Sequence, residues 1–396
     1  MSTRSTLQFL RTETGSGLLL ALAAAVAVAW ANSPWAADYA AFVGHPIAVR
    51  VGPFAETLSA AAWVKTAMMP VFFLVMGLKI KQEIVSGELS NPRRLALPVL
   101  AALGGVLAPA AIFLAVNAGA DGVAQAWPAA VPTDAAIALA LAASAAPRLP
   151  PPLRVFLLTV AIVQDLVSVA LIAVVFAGTL RPAMLGGAFA TLLVLAAMSR
   201  WRAAPYAFWA AGFLLLWGFV MKSGLDPSLA GVLAAATVPL QPKRLGGPGV
   251  LDQLLAALHP YVAFLILPLF ILTAAGFSVR DLPADTPTAP VALGLGLALV
   301  LGKQAGVFGA AALAIGLKWA RRPMGARWLD LYGVSVLCGV GFTLSLYIGE
   351  LAFAPGDDLS QAKVRIGVMA GSLASALWGL AALALSERRR PPEESD

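Results

Sequence analysis

Thr159-Val160-Ala161-Ile162-Val163-Gln164-Asp165-Leu166 is an apolar run with a carboxylate inside it, and the whole chain is read from that contradiction. The run belongs to an apolar segment spanning roughly 152–177. An ionised side chain at membrane depth costs about 2.5 kcal/mol or more, so by default it marks an ion or proton path. Asp134, which follows Pro132-Thr133, and Lys303, within Leu301-Gly302-Lys303-Gln304, stand in the same predicament. Two acids and a base in three separate segments point to one buried site.

Of 396 residues, 60% are hydrophobic and 12% are charged, against about 25% charged in a soluble domain. The expected fold class is therefore an all-α polytopic membrane protein surrounded by lipid. A formal net charge of +7 would suit nucleic acid. Its basic residues cluster in short loops between apolar runs, however, as membrane topology requires, so no nucleic-acid partner is expected. Cys338 is the single cysteine and lies in an apolar run, which excludes an internal disulfide and a multi-cysteine metal site. His45 and His259 are too few for a histidine-rich centre. No nucleophile, base and acid group together in any span, so neither an enzyme nor a resident cofactor is expected.

Charges, prolines and glycines mark off twelve apolar spans, roughly 13–31, 61–80, 95–116, 123–145, 152–177, 182–199, 204–220, 224–240, 254–277, 289–316, 328–350 and 361–385. Arg4 and Arg11 precede a stretch ending Ala29-Trp30-Ala31, which loosely resembles a signal peptide. Reading it as an uncleaved first helix makes the charges alternate. Lys79, Arg93, Arg94, Arg148, Arg154, Arg200, Arg202, Lys243, Arg244, Arg321 and Arg322 then share the side of the N-terminus, against Arg50, Arg181, Lys222, Arg280, Lys363 and Arg365 on the other. This bias places both termini in the cytoplasm. Residues 1–385 form one membrane domain, and 386–396 a charged, Pro-containing tail without order. In the outer connection 32–60, Ile47-Ala48-Val49-Arg50-Val51 runs into Gly52-Pro53 and suggests a hairpin over 45–56. An irregular loop fits the pattern equally. A lone hairpin is marginal in water and would gain by pairing with that of a second subunit, making a homodimer.

Two spans carry helix-breaking chemistry at mid-depth. In Ala130-Val131-Pro132-Thr133-Asp134, Pro132 has no amide hydrogen and pushes Val131 out of the helical region. In Cys338-Gly339-Val340-Gly341-Phe342-Thr343-Leu344-Ser345, Gly339 and Gly341 weaken the helix, and Thr343 and Ser345 offer hydroxyls to freed backbone groups. The breaks fall in the middle helix of segments 3–5 and of segments 10–12. Paired interruptions of this kind point to a transport site between opposed half-helices. Asp134 would balance their positive N-terminal ends and Lys303 their negative C-terminal ends. Elsewhere, Asp226-Pro227 reads as the start of the eighth helix, and His259-Pro260 as a helix-terminus element.

The chain resembles the NhaA-type sodium/proton antiporters over about residues 12–385. The matching stretches are Ala31-Asn32-Ser33, Val71-Phe72-Phe73-Leu74-Val75-Met76-Gly77-Leu78, Pro132-Thr133-Asp134, Lys222-Ser223-Gly224, Leu229-Ala230-Gly231-Val232, His259-Pro260, Leu265-Ile266-Leu267-Pro268-Leu269-Phe270, Gly302-Lys303 and the Cys338–Ser345 stretch. The resemblance implies twelve helices in inverted repeats and two crossing broken helices in segments 4 and 11. It also implies a homodimer joined partly by the hairpin, a bacterial inner-membrane location, and exchange of Na+ or Li+ against protons.

The chain departs from that family at telling places. The usual pair of adjacent aspartates in the fifth helix is here Gln164-Asp165, so Lys303 lacks the aspartate often drawn as its partner. Early in the second helix the family acid is Thr66, and the acid after Gly77-Leu78 is Lys79, whereas Glu83 matches. Leu255 and Ala256 stand for the glutamate and histidine at the ninth helix, and Asp226 for the histidine after Lys-Ser-Gly-x. Ordinary pH sensing is therefore not expected.

A buried Asp165 can hold a proton or lend its charge to Na+, but hardly both at once. Such competition at one alternately exposed site is the core of an antiporter. Sodium prefers oxygen ligands, which Thr133, Asp134, Gln164 and carbonyls at the breaks can supply. Asp165 and Thr133 are the expected transient ligands, with Lys303 as charge compensator or proton carrier. One exchanging carboxylate gives an electroneutral cycle. Two other readings share the pattern: a sodium-coupled organic-solute symporter of the same architecture, and a non-transporting relative whose ion path has decayed.

Overall fold

Lipid offers no hydrogen bonds to a peptide group, so long apolar segments close their own as helices. The computed structural model describes residues 3–51, 54–87, 92–120, 123–200, 206–240, 249–280, 282–354 and 356–390. Among these, eight helices are long and apolar enough to cross a membrane: Ala60–Ser86, Leu95–Val116, Pro151–Val175, Tyr206–Ser223, Val250–Ala274, Pro290–Gly316, Trp328–Leu351 and Asp358–Arg388. Two bent pairs, Gly15–Ala31 with Ala36–Gly44 and Ala124–Ala130 with Ala135–Ala145, raise the number to ten. Two further expected spans appear as shorter helices, the apolar Pro182–Met198 and the nine-residue Leu229–Thr237.

The chain divides into two compact units, one of Met1–Leu18, Asn91–Ser168 and Asp281–Asp396, the other of Leu19–Ser90 and Val169–Arg280. In the first, glycines let helix backbones touch, the usual means of tight packing where lipid supplies no hydrophobic drive. A side chain at Gly306 would lie 2.6 Å from the carbonyl carbon of Gly104, and one at Gly302 would lie 2.6 Å from Cα of Pro109. Pro290–Gly316 is thereby held against Pro92–Val116. Gly333 and Gly379 instead make room for leucine side chains between Trp328–Leu337 and Asp358–Arg388, where added Cβ atoms would lie 2.8 Å from Leu383 and 2.5 Å from Leu337.

In the second unit the two strands of the expected hairpin are present and run on to Ser59, while Gly52-Pro53 lie outside the described residues. Pro46–Val51 pairs antiparallel with Phe54–Ser59, Ile47 opposite Leu58 and Val49 opposite Glu56. Glu56 forms an ion pair with Lys222, and the Trp63 indole donates to the Ile47 carbonyl at 2.8 Å. A helix in the same connection, Ala36–Gly44, has no strong sequence signal. The amide of Asn32 donates to the Phe277 carbonyl (2.8 Å) while its oxygen accepts from the Val279 N–H (2.7 Å), tying the first helix to the loop after Ala274.

Three local expectations differ from the structure. Helix Leu229–Thr237 starts later than Asp226-Pro227, with Ser228 at its N-cap. The Asp226 carboxylate accepts the Ser228 N–H (2.9 Å), closing the turn before the helix. His259-Pro260 lies in the last turn of the α-helix Val250–Tyr261, but the span does not stop there: a wide π turn, Val262–Ile266, carries it on to Ala274. Asp358–Arg388 continues through the expected tail, and Ser386 is buried. Residues 391–396 lie outside the described part of the chain.

Candidate functional site

All the candidate residues stand in the first unit. The first break runs from the 3-10 helix Ala124–Ala130 through Val131 to Asp134, the extended N-cap of Ala135–Ala145; contrary to expectation, Val131 stays in the helical region (φ −83°, ψ −47°) despite the following Pro132. The second separates Trp328–Leu337 from Phe342–Leu351. The two breaks meet. The Asp134 N–H donates to the Val340 carbonyl at 2.6 Å, and the Thr133 hydroxyl lies 2.5 Å from the Cys338 carbonyl. The second break thus supplies carbonyls to the Asp134 N–H and the Thr133 hydroxyl of the first. Ser372, from the last helix, accepts the Gly341 N–H at 3.3 Å. The hydroxyls expected to serve this purpose do not: Thr343 donates to the Asp134 carboxylate, and the buried Ser345 oxygen meets no hydrogen-bond partner among the described residues.

Lys303 is fully buried. Its ammonium donates to the Val131 carbonyl, to the Gln164 amide oxygen at 2.8 Å and to the Thr133 hydroxyl at 3.3 Å. Val131 caps the carbonyl end of Ala124–Ala130, so the ammonium sits at a negative helix terminus. Two π turns, Ala298–Gly302 and Gln304–Phe308, flank Lys303. Such turns frequently occur at functional sites, because they leave a carbonyl open. One of them is taken up: the Leu299 carbonyl accepts from Ser375 at 3.3 Å.

Gln164 is also fully buried. Gly105 makes room for it, since a Cβ there would strike the Gln164 amide nitrogen. Its amide oxygen is shared by Lys303 and the Thr133 hydroxyl, the latter at 2.6 Å. Thr133 has one hydrogen for two acceptors, Gln164 and the Cys338 carbonyl, and can serve only one at a time. Asp165, the next residue along Pro151–Val175, is half-buried and feels the Lys303 charge. Ser168 turns back to the Gln164 carbonyl at 2.8 Å. Sequence patterns did not single out Val131, Ser372 or Ser375. Val131 acts through its backbone carbonyl, and buried serines such as Ser372 and Ser375 in a membrane helix give no periodic signal.

Two interrupted membrane helices whose loose ends meet beside a buried lysine define the class, a polytopic secondary transporter. The sequence profile described as Na+/H+ antiporter 1 matches residues 7–383. Similar curated proteins include a Na(+)/H(+) antiporter NhaA of Nitrobacter hamburgensis, 44% identical over 94% of this chain and 89% of the relative. NhaA of Rhodospirillum rubrum is 41% identical over the full length of both chains, and NhaA 2 of Erythrobacter litoralis is 38% identical over 98% and 96%. The chain belongs to the Na+/H+ antiporter 1 family. It is a multi-pass protein of the bacterial inner membrane.

Proposed function

We propose that this protein exchanges Na+ or Li+ for H+ by competition at Asp165, with Thr133, Gln164, Asp134 and carbonyls of the breaks as neutral or charged oxygen partners. One observation carries the reading. The Val131 carbonyl, the Thr133 hydroxyl and the Gln164 amide oxygen converge on one buried cation, the Lys303 ammonium. Oxygens that hold an ammonium suit a dehydrated alkali ion as well. Asp165 supplies the carboxylate that either a proton or the ion can neutralise, and Lys303 compensates charge when neither is bound. Transport alternates the exposure of this one site between the two sides.

The unit carrying the breaks serves as the transport core and the other unit as scaffold. The hairpin, with Glu56 anchored to Lys222, would join two copies along its open edges. Light scattering of the purified chain with and without the hairpin checks that association. Because Gln164 replaces the first acid of the usual pair, a single carboxylate exchanges and the cycle is electroneutral. The replaced residues Leu255, Ala256 and Asp226 argue for activity without ordinary pH sensing.

The deciding test uses everted vesicles from cells lacking sodium extrusion. Addition of Na+ or Li+ should collapse the pH gradient with the natural chain and not with Asp165→Asn, at equal amounts of folded protein. Activity retained by Asp165→Asn overturns the reading. A silent natural chain would favour the solute symporter or the non-transporting alternative.

A further inference from the structure

A second buried charge lies in the first unit, away from the breaks. Asp330, in the first turn of Trp328–Leu337, is wholly buried. Its Oδ2 accepts the Arg327 N–H (2.9 Å) and an Arg390 guanidinium N–H (2.8 Å), and its Oδ1 accepts the Ser386 hydroxyl (2.6 Å). Around it, Arg148 Nε meets Glu387 Oε1 at 2.5 Å and Arg148 Nη2 donates to the Glu387 carbonyl at 3.2 Å. Arg327 reaches the Ser386 carbonyl at 3.5 Å, and Arg390 Nε lies 3.8 Å from Glu387 Oε2. Three arginines thus gather on the carbonyl end of the last helix, where cations are favoured. A fully buried carboxylate is costly unless paired, and removing the partner leaves that cost in place. Arg390 is therefore strongly held.

The mechanical consequence follows from the helix between. Trp328–Leu337 has no interruption. Eight residues separate Asp330 from Cys338, a rigid rise of about 12 Å. The Cys338 carbonyl is the group that faces Thr133, and the Val340 carbonyl beyond it accepts the Asp134 N–H. Gly333 makes room for the Leu383 side chain of the last helix, and Gly379 for Leu337 of this half-helix, so the two helices pack closely. Tyr332 donates to the Gln304 amide oxygen at 2.8 Å, and the Asp330 cluster supplies the directional bonds between this end of the half-helix and the last helix.

We propose that Arg390 and Ser386 act as positioning residues: their bonds to Asp330 form a clasp that fixes how far Trp328–Leu337 reaches toward the break, and so places the Cys338 and Val340 carbonyls. That these carbonyls matter for cation affinity rests on the proposed site; that the clasp holds them in register does not.

Cys338 is fully buried and is the sole cysteine, so it reports the register directly. In the purified full-length chain, N-ethylmaleimide should modify Cys338 very slowly. In Arg390→Gln the rate should rise about tenfold through local opening of the break, and Arg390→Lys should recover most of the natural rate. Arg148→Gln, which weakens the same helix end without touching Asp330, controls for general loosening and should leave the thiol protected. If Arg390→Gln does not fold, Ser386→Ala keeps the ion pair, removes one bond to Asp330 and should accelerate labelling severalfold. A folded clasp variant whose thiol stays as slow as in the natural chain overturns the proposal, as does equal acceleration in Arg148→Gln. The two readings then separate in vesicles. Faster labelling with an unchanged half-saturating Na+ concentration keeps the clasp and removes these carbonyls from the cation site.

Discussion

At the scale of the residue, the Gln164 amide oxygen is the point on which the site turns. It accepts from the Lys303 ammonium and from Thr133 while its helix neighbour Asp165 keeps a carboxylate close by. A neutral oxygen there leaves the ammonium without the anionic partner usual in the family, and the Val131 carbonyl takes part of the load. Thr133 is the most exchangeable member, since its one hydrogen can move from Gln164 to the Cys338 carbonyl. Thr133→Ala should raise the half-saturating Na+ concentration about tenfold, the equivalent of one lost buried hydrogen bond, whereas Thr133→Ser should stay near the natural value. Vesicle titrations with Na+ check this, and equal behaviour of the two variants would remove the hydroxyl from the site.

At the scale of the element, the breaks and the glycine contacts do different work. The breaks leave polar backbone at mid-depth, tolerated because the second supplies a carbonyl to the Asp134 N–H of the first and Ser372 covers the Gly341 N–H. The glycine contacts bring Pro290–Gly316 close enough for Lys303 to reach across to the first break. Gly306→Ala would push a methyl group into the Gly104 backbone and should cost about 1–3 kcal/mol of stability. Gly309→Ala meets nothing within 4 Å and, at the start of the helix Gly309–Gly316, should leave the melting temperature unchanged or slightly raised. Thermal unfolding in detergent compares the two. Pro132 and the paired glycines Gly339 and Gly341 were legible as breaks because lost donors and missing side chains act locally. The π turns beside Lys303 were not legible, because they answer to packing against Pro109 and Ser375 rather than to any local preference.

At the scale of the whole molecule, the question is what the single exchanging carboxylate does to the cycle. In the proposed cycle, with Gln164 neutral, one proton would leave for each Na+ bound and no net charge would cross. In proteoliposomes an imposed membrane potential, without ion gradients, should drive no Na+/H+ exchange by the natural chain. Gln164→Asp should make exchange respond to the potential. Potential-driven exchange in the natural chain would overturn electroneutrality while leaving the antiporter reading in place.

The amino-acid sequence alone determined that this is a helical membrane protein, because 60% hydrophobic residues in runs near bilayer length have no other stable solution. It also located the interruptions and the ionisable residues at Asp134, Asp165 and Lys303, since cost in lipid depends on the residue itself. Only the tertiary structure decided which groups meet. Val131, Gln164 and Lys303 are far apart along the chain, and nothing local says that a carbonyl, an amide and an ammonium will share one pocket. The same holds for Arg390, whose sequence context read as a loose charged tail. Its order comes from Asp330, 60 residues away, because burying that carboxylate is tolerable only with a partner in place.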